Sequence, residues 1–444
     1  MQFMNKPLFL SILLAFSCLI LHGKTIYVAP QGRDSNAGTI NSPLATLAAA
    51  QNAISPGDTV YFRGGTYRIG PNQIASYEER GLYACVFHLT KGGTAQHRTV
   101  FAGYPGERPV FDLSEVKPVG KRVAVFYIHA DYLHLKNFDI IGTQVTITTH
   151  TQSECVTIRR GNSYNIIEDV AVHDGMGIGF CIWRGSHNFF LNCDAYNNYD
   201  SVSEQGAGGN TDGFGCHAKA RDEGNVFHGC RAWNNSDDGF DLIRNLASVT
   251  IDHCWSFYNG YKPYSTTEKA GDGNGFKAGG YGLKVQADSV KAPRNVIKNC
   301  IAYHNRANGF YSNHHLGGND WIHNTSYDNQ GYNYDMRNQQ SWDVARDVPG
   351  YGHVLKNNLS VGTSHAYRML KPTLCICFNN SFLPVSTATS LTDQDFEDLT
   401  SPEQLSAKRQ PDGSLPELTF LKLRPSSKAC QKHQGYPFEK DWIE

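Results

Sequence analysis

Four segments of the chain repeat one order of apolar and polar positions: FFLNCDAYNN, VFHGCRAWNN, TIDHCWSFYN and VIKNCIAYHN. Apolar and polar residues alternate around a central Cys, the two-residue period of a strand with one buried face. Aligned, the segments place Cys193, Cys230, Cys254 and Cys300 in one column. Five residues later Asn198, Asn235, Asn259 and Asn305 form a second. Weaker copies extend the Cys column upstream to Phe138 and Val170, and downstream to Asn324, Asn358 and Asn379. Successive spacings are 32, 23, 37, 24, 46, 24, 34 and 21, a basal period of 21 to 24 residues with insertions in some turns.

A strand-plus-turn unit of that length cannot bury its inner face alone, so copies must stack. The Leu/Asn consensus of a leucine-rich repeat and the longer blades of a propeller are both missing. The pattern therefore predicts an all-β solenoid, a parallel β-helix with coils about 4.8 Å apart. The Asn column reads as turn residues, which tolerate left-handed backbone and can bond to the next coil. Residues 24–68 predict an N-terminal cap of strand, short helix and strand, since a bare solenoid end exposes unpaired edges. From about residue 384 to 444 the repeat fades into a tail expected to pack along the coils. No linker divides residues 24–444, which read as one domain.

The first 23 residues read as an export signal. Lys6 precedes an apolar stretch from Leu8 to Leu21, and Gly23 offers a small residue for cleavage before Lys24. The protein is expected in the periplasm or outside the cell. The remaining chain has no apolar run long enough to span a membrane. Forty Lys and Arg balance 41 Asp and Glu, which argues against a nucleic-acid binder. Eleven Cys remain beyond the leader. Four share a core-facing column and no CxxC pair occurs, so they read as free, buried thiols.

A second motif recurs once per coil, in the turn after the Asn: Asp212-Gly-Phe-Gly215, Asp238-Gly-Phe-Asp241, Asn274-Gly-Phe-Lys277 and Asn308-Gly-Phe-Tyr311. Gly reads as the bend, and Phe214, Phe240, Phe276 and Phe310 as an internal stack. Stacked in register, Asp212, Asp237, Asp238 and Asp241 lie within about two rungs. Four clustered anions repel unless a cation binds among them, and all-oxygen ligation points to Ca²⁺. Lys277 would lie one rung from Asp241. A nearby cation and partial burial would lower its pKa and favour the neutral amine. A metal with a neutral base suits proton abstraction α to a carboxylate. On a uronic acid glycan that chemistry is β-elimination.

These motifs, GGNTDGF, NNSDDGFDL and GNGFKAGG, resemble those of polysaccharide lyase family 9, and the resemblance runs from IYVAPQGRDSNAGT through LPELTFLKLRP. It implies a right-handed parallel β-helix acting on a pectic polysaccharide, with Ca²⁺ on Asp212, Asp237, Asp238 and Asp241 and Lys277 as Brønsted base. Family members cleave homogalacturonan or rhamnogalacturonan-I. The near-neutral charge leans toward rhamnogalacturonan-I, which carries one carboxylate per disaccharide.

Arg244, Arg306 and Tyr311 are candidate substrate contacts, a guanidinium being able to pair with a uronate. Tyr258, Tyr261 and Tyr264, in the longest interval, read either as a sugar-stacking wall or as part of a decorative insertion. His314 and His315 have no assigned role, with a second metal site as one possibility. Two other readings stay open. NTDG and the Asp237-Asp238 pair also resemble motifs of inverting polygalacturonases of glycoside hydrolase family 28, but the expected Gly-His-Gly and Arg-x-Lys are missing. The other is a non-catalytic, calcium-stabilised glycan-binding β-helix. A solenoid capped at its ends needs no partner, so a monomer is expected.

Overall fold

The computed structural model describes residues 23–280, 292–362 and 365–438. The predicted leader, save Gly23, lies outside them. The chain winds as a right-handed parallel β-helix, each coil hydrogen-bonding in parallel to the next. Register is continuous: Phe190 lies against Phe227, then Ile251, Ile297, Trp321 and Leu355. These residues are fully buried, and the Cys column follows three positions later. Its last member is Asn380, because Ile376 pairs with Val354 and Asn380 accepts from Asn358 Nδ2 at 2.9 Å. The expected Asn379 is one residue early.

The bends use a division of labour that the Asn column only half predicts. The left-handed residue is the one before each column: Asn192, His253 and Asn299 before the Cys positions, and Asn197, Asn234, Tyr258 and His304 before the Asn positions. The Asn column itself is buried and forms a ladder. Asn235 Nδ2 donates to Asn259 Oδ1 at 3.1 Å, Asn259 to Asn305 at 3.0 Å and Asn305 to Asn329 at 2.9 Å. Each Asn thereby satisfies backbone that the bend has freed from the sheet.

The Gly-Phe motif is the entry to a strand. Phe214–Cys216, Phe240–Asp241, Phe276–Lys277 and Phe310–Tyr311 belong to an 11-stranded sheet. Their rings stack inside at 4.8 to 5.0 Å. The glycines before them are required by close approach, and none has the left-handed φ of a bend. A Cβ on Gly213 would lie 2.7 Å from the Gly239 carbonyl oxygen, and one on Gly239 2.0 Å from Ser256 Oγ.

The helix Leu47–Ala53, capped by the Thr46 side chain, buries Leu47 and Ala50 in the core at the N-terminal end. The flanking strands Thr25–Val28 and Thr59–Phe62 already pair in parallel, and the second pairs onward with Thr99–Gly103. Most of the predicted cap is thus the first turns of the solenoid. At the other end of the chain, Phe396, Leu405, Phe420, Leu423 and Tyr436 bury the outer face carrying Trp255, Phe257, Tyr303 and Leu359. The described cysteines are free.

Asn259 makes a direct test of the ladder. Asn259→Ala strands the amide of Asn235 and the carbonyl of Ala232, which Asn259 Nδ2 reaches at 3.0 Å. Unsatisfied buried groups of this kind cost about 3 kcal/mol together, so chemical denaturation should show a lower midpoint with native-like circular dichroism before unfolding.

Candidate active site

Alternation along the second sheet turns Phe inward and the next residue outward. Gly215, Asp241, Lys277, Tyr311 and Asp335 therefore form one outward row on successive coils. Two residues before each Phe a polar ladder runs in parallel. Asp238 N donates to Asp212 Oδ1 at 3.1 Å, and Asn274 reaches Asp238 Oδ1 through its backbone N at 2.6 Å and its Nδ2 at 2.9 Å. Asp238 Oδ2 is left to receive Lys277 Nζ at 2.8 Å, and Asp241 Oδ2 lies 3.2 Å from the same nitrogen.

The structure brings the five sequence-predicted residues together. Asp212, Asp238 and Asp241 offer carboxylate oxygens within 4.8 Å of one another. Asp237 and Asp238 share a second group of the same span with Asp272. All are buried except Asp272. Asp272 sits in the GDGNGF segment but carried no signal as a ligand. Its backbone N donates to Asp237 Oδ1 at 2.7 Å and its carboxylate lies 4.0 Å from Lys277 Nζ.

Burial and mutual repulsion push Asp212 and Asp237 well above the ordinary carboxylate range, and burial raises Asp238 against the pull of Lys277. This is a site short of positive charge. An all-carboxylate donor set with flexible spacing suits a hard cation such as Ca²⁺. For Lys277, burial lowers the pKa, but Asp238, Asp241, Asp237 and Asp212 outweigh it and raise the value well above normal. The carboxylates by themselves thus hold the proton on the amine, and the lowered value expected from the sequence belongs to the site with a cation among them.

The predicted substrate contacts divide. Tyr311 stands beside Lys277 in the outward row. Arg244 is exposed, left-handed, and held by its backbone N to Gly280 O at 2.7 Å. Arg306 points elsewhere: its guanidinium donates to the carbonyls of Gly271 and Asp272, bracing the loop that presents Asp272. Tyr258 and Tyr261 pack against His304, and Tyr264 reaches Asp174, so the three do not form one wall. His314 and His315 face apart. His314 bonds Tyr311 and Asp347, while buried His315 bonds Pro293 O at 2.8 Å.

Sequence reasoning missed a neighbouring network. Arg159 lies between the rings of Tyr83 (4.3 Å) and Trp183 (4.7 Å) and pairs with buried Glu154 at 3.0 Å. Trp183 in turn packs on His217 at 4.6 Å, one coil before Asp241. Glu154, Arg159 and Trp183 come from coils where the repeat is faint.

The family described as "Pel9A-like, right handed beta helix region" matches residues 26–358. The chain belongs to polysaccharide lyase family 9. It is 32% identical to pectate lyase L of Dickeya dadantii (strain 3937) over 410 residues, 90% of this chain and 84% of that one. It is 30% identical to pectate lyase PEL9 of Emericella nidulans, covering 68% and 73%. Among solved structures, a rhamnogalacturonan lyase is 47% identical with a TM-score of 0.88, over 93% of this chain and 99% of that one. Pectate lyase Pel9A is 32% identical with a TM-score of 0.71, covering 91% and 90%.

In this family 9 chain the raised carboxyl pKa values carry a sign that can be checked. A buried Asp whose pKa is raised on folding binds more protons in the native state, so it stabilises at low pH and that contribution is lost as pH rises. With chelator present, Asp212→Asn should melt higher than the unsubstituted protein at pH 7, and the difference should close towards pH 4. Thermal scans across that range measure it.

Proposed function

We propose that the protein is a calcium-dependent lyase that cleaves the rhamnogalacturonan-I backbone of pectin by β-elimination. The observation that carries the proposal is a buried lysine amine bonded into a cluster of buried carboxylates, at 2.8 and 3.2 Å, on the outer face of a family 9 solenoid. Asp212, Asp237, Asp238 and Asp241 would hold Ca²⁺, which supplies charge neutralisation for the substrate carboxylate and for the enolate-like charge formed as C5 loses its proton. Lys277, once relieved of the carboxylates' excess charge, accepts that proton through its free amine. The C5–H pair becomes the C4=C5 double bond, and O4 leaves with the C4–O4 pair. Asp272, on the loop braced by Arg306, brings its carboxylate to 4.0 Å from the amine.

Two observations support rhamnogalacturonan-I over homogalacturonan. Identity is 47% to the rhamnogalacturonan lyase against 32% to Pel9A. Three arginines flanking the row are also spent on protein carboxylates: Arg159 on Glu154, and Arg337 and Arg368 on Asp335. A face with most of its guanidiniums already paired, Arg244 excepted, suits a backbone with few carboxylates of its own. The substrate and the leader-like N-terminus together fit an exported protein, periplasmic or extracellular.

Purified protein should generate ultraviolet absorbance from unsaturated product on rhamnogalacturonan-I, faster than on polygalacturonate, and lose it with chelator. Lys277→Ala should lower the rate by about 10²- to 10⁴-fold. New reducing ends without absorbance would make the protein a hydrolase, and silence on both glycans would favour a binding module.

A further inference from the structure

Lys277 accounts for the proton that leaves C5 but nothing so far supplies one to the departing O4. The in-register neighbour of Lys277 is Tyr311. Parallel coils separate such neighbours by about 4.8 Å at their roots, and their tips take different partners. Lys277 leans back to Asp241 on the preceding coil, at 3.2 Å. Tyr311 lies under Arg337 of the following coil, 5.7 Å from the ring centre, and its hydroxyl is 3.0 Å from His314 Nε2. Two separately held groups matter here, because H5 and O4 of a galacturonate lie on opposite faces of the ring, so base and acid must flank it.

The hydroxyl is also held from behind. His314 Nδ1 is 2.5 Å from Asp347 Oδ1, and Asp347 Oδ2 accepts from Arg337 Nη1 at 2.9 Å. An ionised carboxylate only accepts, so Nδ1 carries the hydrogen and Nε2 faces Tyr311. Asp347 comes from an antiparallel ribbon, Asn338–Ser341 with Val344–Val348, that leaves the solenoid between two coils. The ribbon is almost wholly exposed along Val344–Val348 and contributes nothing to the core clusters. Its return to His314 is otherwise unexplained. Burial keeps the phenol in its protonated form.

We propose that Tyr311 is the proton donor to the leaving oxygen, and that His314 and Asp347 position it and resupply its proton. The inference rests on the lyase reading above. As Lys277 Nζ takes H5, the C5–H pair forms the double bond and the C4–O4 pair passes to O4. O4 takes the hydrogen of Tyr311 Oη, and Oη takes one back by way of His314 Nε2, whose Nδ1–H stays on Asp347. Lys277 then returns its proton to water and water supplies the one passed through His314, so the enzyme ends as it began.

The test uses two substrates, rhamnogalacturonan-I and a uronate oligosaccharide carrying fluoride at C4, whose departure needs no proton donor. Tyr311→Phe should lower kcat on the glycan about 100-fold, with KM changed less than about threefold, yet retain fluoride release within about fivefold of the unsubstituted protein. His314→Gln and Asp347→Asn should show the same contrast in smaller measure, and Lys277→Ala should lose both reactions. Parallel loss of both reactions in Tyr311→Phe and His314→Gln would overturn the proposal, as would an effect on KM alone. If the unsubstituted protein yields no unsaturated product from either pectic backbone, the lyase reading itself falls and Tyr311 with it.

Discussion

Everything at the site depends on the register in which one coil lies on the next. No coil holds the site. Asp212, Asp238 and Asn274 meet only because three coils present the same position to one line, and Asp241 meets Lys277 by the same rule. Side chains alternate faces along a strand, so a slip of one residue would turn Lys277 into the core and Phe276 out to solvent. Three devices hold the register: the backbone ladder, the buried Asn ladder and the glycines that admit no side chain between coils. The Phe stack beneath them fills the interior with rings of one size, so each coil rests on the last without a step.

That rigidity lets the fold carry an unfavourable charge arrangement. Buried carboxylates are costly unless paired or bonded. Here part of the cost is offset locally, because Asp212 and Asp238 each accept backbone N–H donors that belong to the ladder itself. The hydrogen bonds that stack the coils are thus also those that aim the remaining oxygens at one point. Stability and reactivity are drawn from the same residues, and the polar ladder changes from Asp to Asn on the coil that carries Lys277, at Asn274, and stays Asn at Asn308.

The sequence made the solenoid and the core of the site readable for one reason: stacking demands like residues at like positions, and that demand leaves columns. Asp212, Asp237, Asp238, Asp241 and Lys277 were legible because they flank a Gly-Phe pair that recurs on each of these coils and sets their register. What left no column was lost. The left-handed bend is filled by Asn, His or Tyr, so it was assigned one residue late to the uniform Asn ladder. The glycines were read as bends because close approach between coils has no signature within one coil. Tyr258, Tyr261 and Tyr264 lie in an insertion, where no register dictates direction. Glu154 and Arg159 come from coils too divergent to align. The charge state of Lys277 depends on a balance of burial against four neighbours, which no linear pattern encodes.

The cysteine column has a consequence for how such a chain matures. Cys193, Cys230, Cys254 and Cys300 sit buried on successive coils with their sulfurs bonded to main-chain carbonyls of their own or the preceding coil. In the finished solenoid they are sealed from oxidants. Before the coils close they are not, and four thiols at regular intervals offer many wrong disulfides and no useful one. A chain built this way is safest if coil formation outruns oxidation, with each new turn shielding the sulfur of the last, so that order of winding does the work a redox chaperone would otherwise perform.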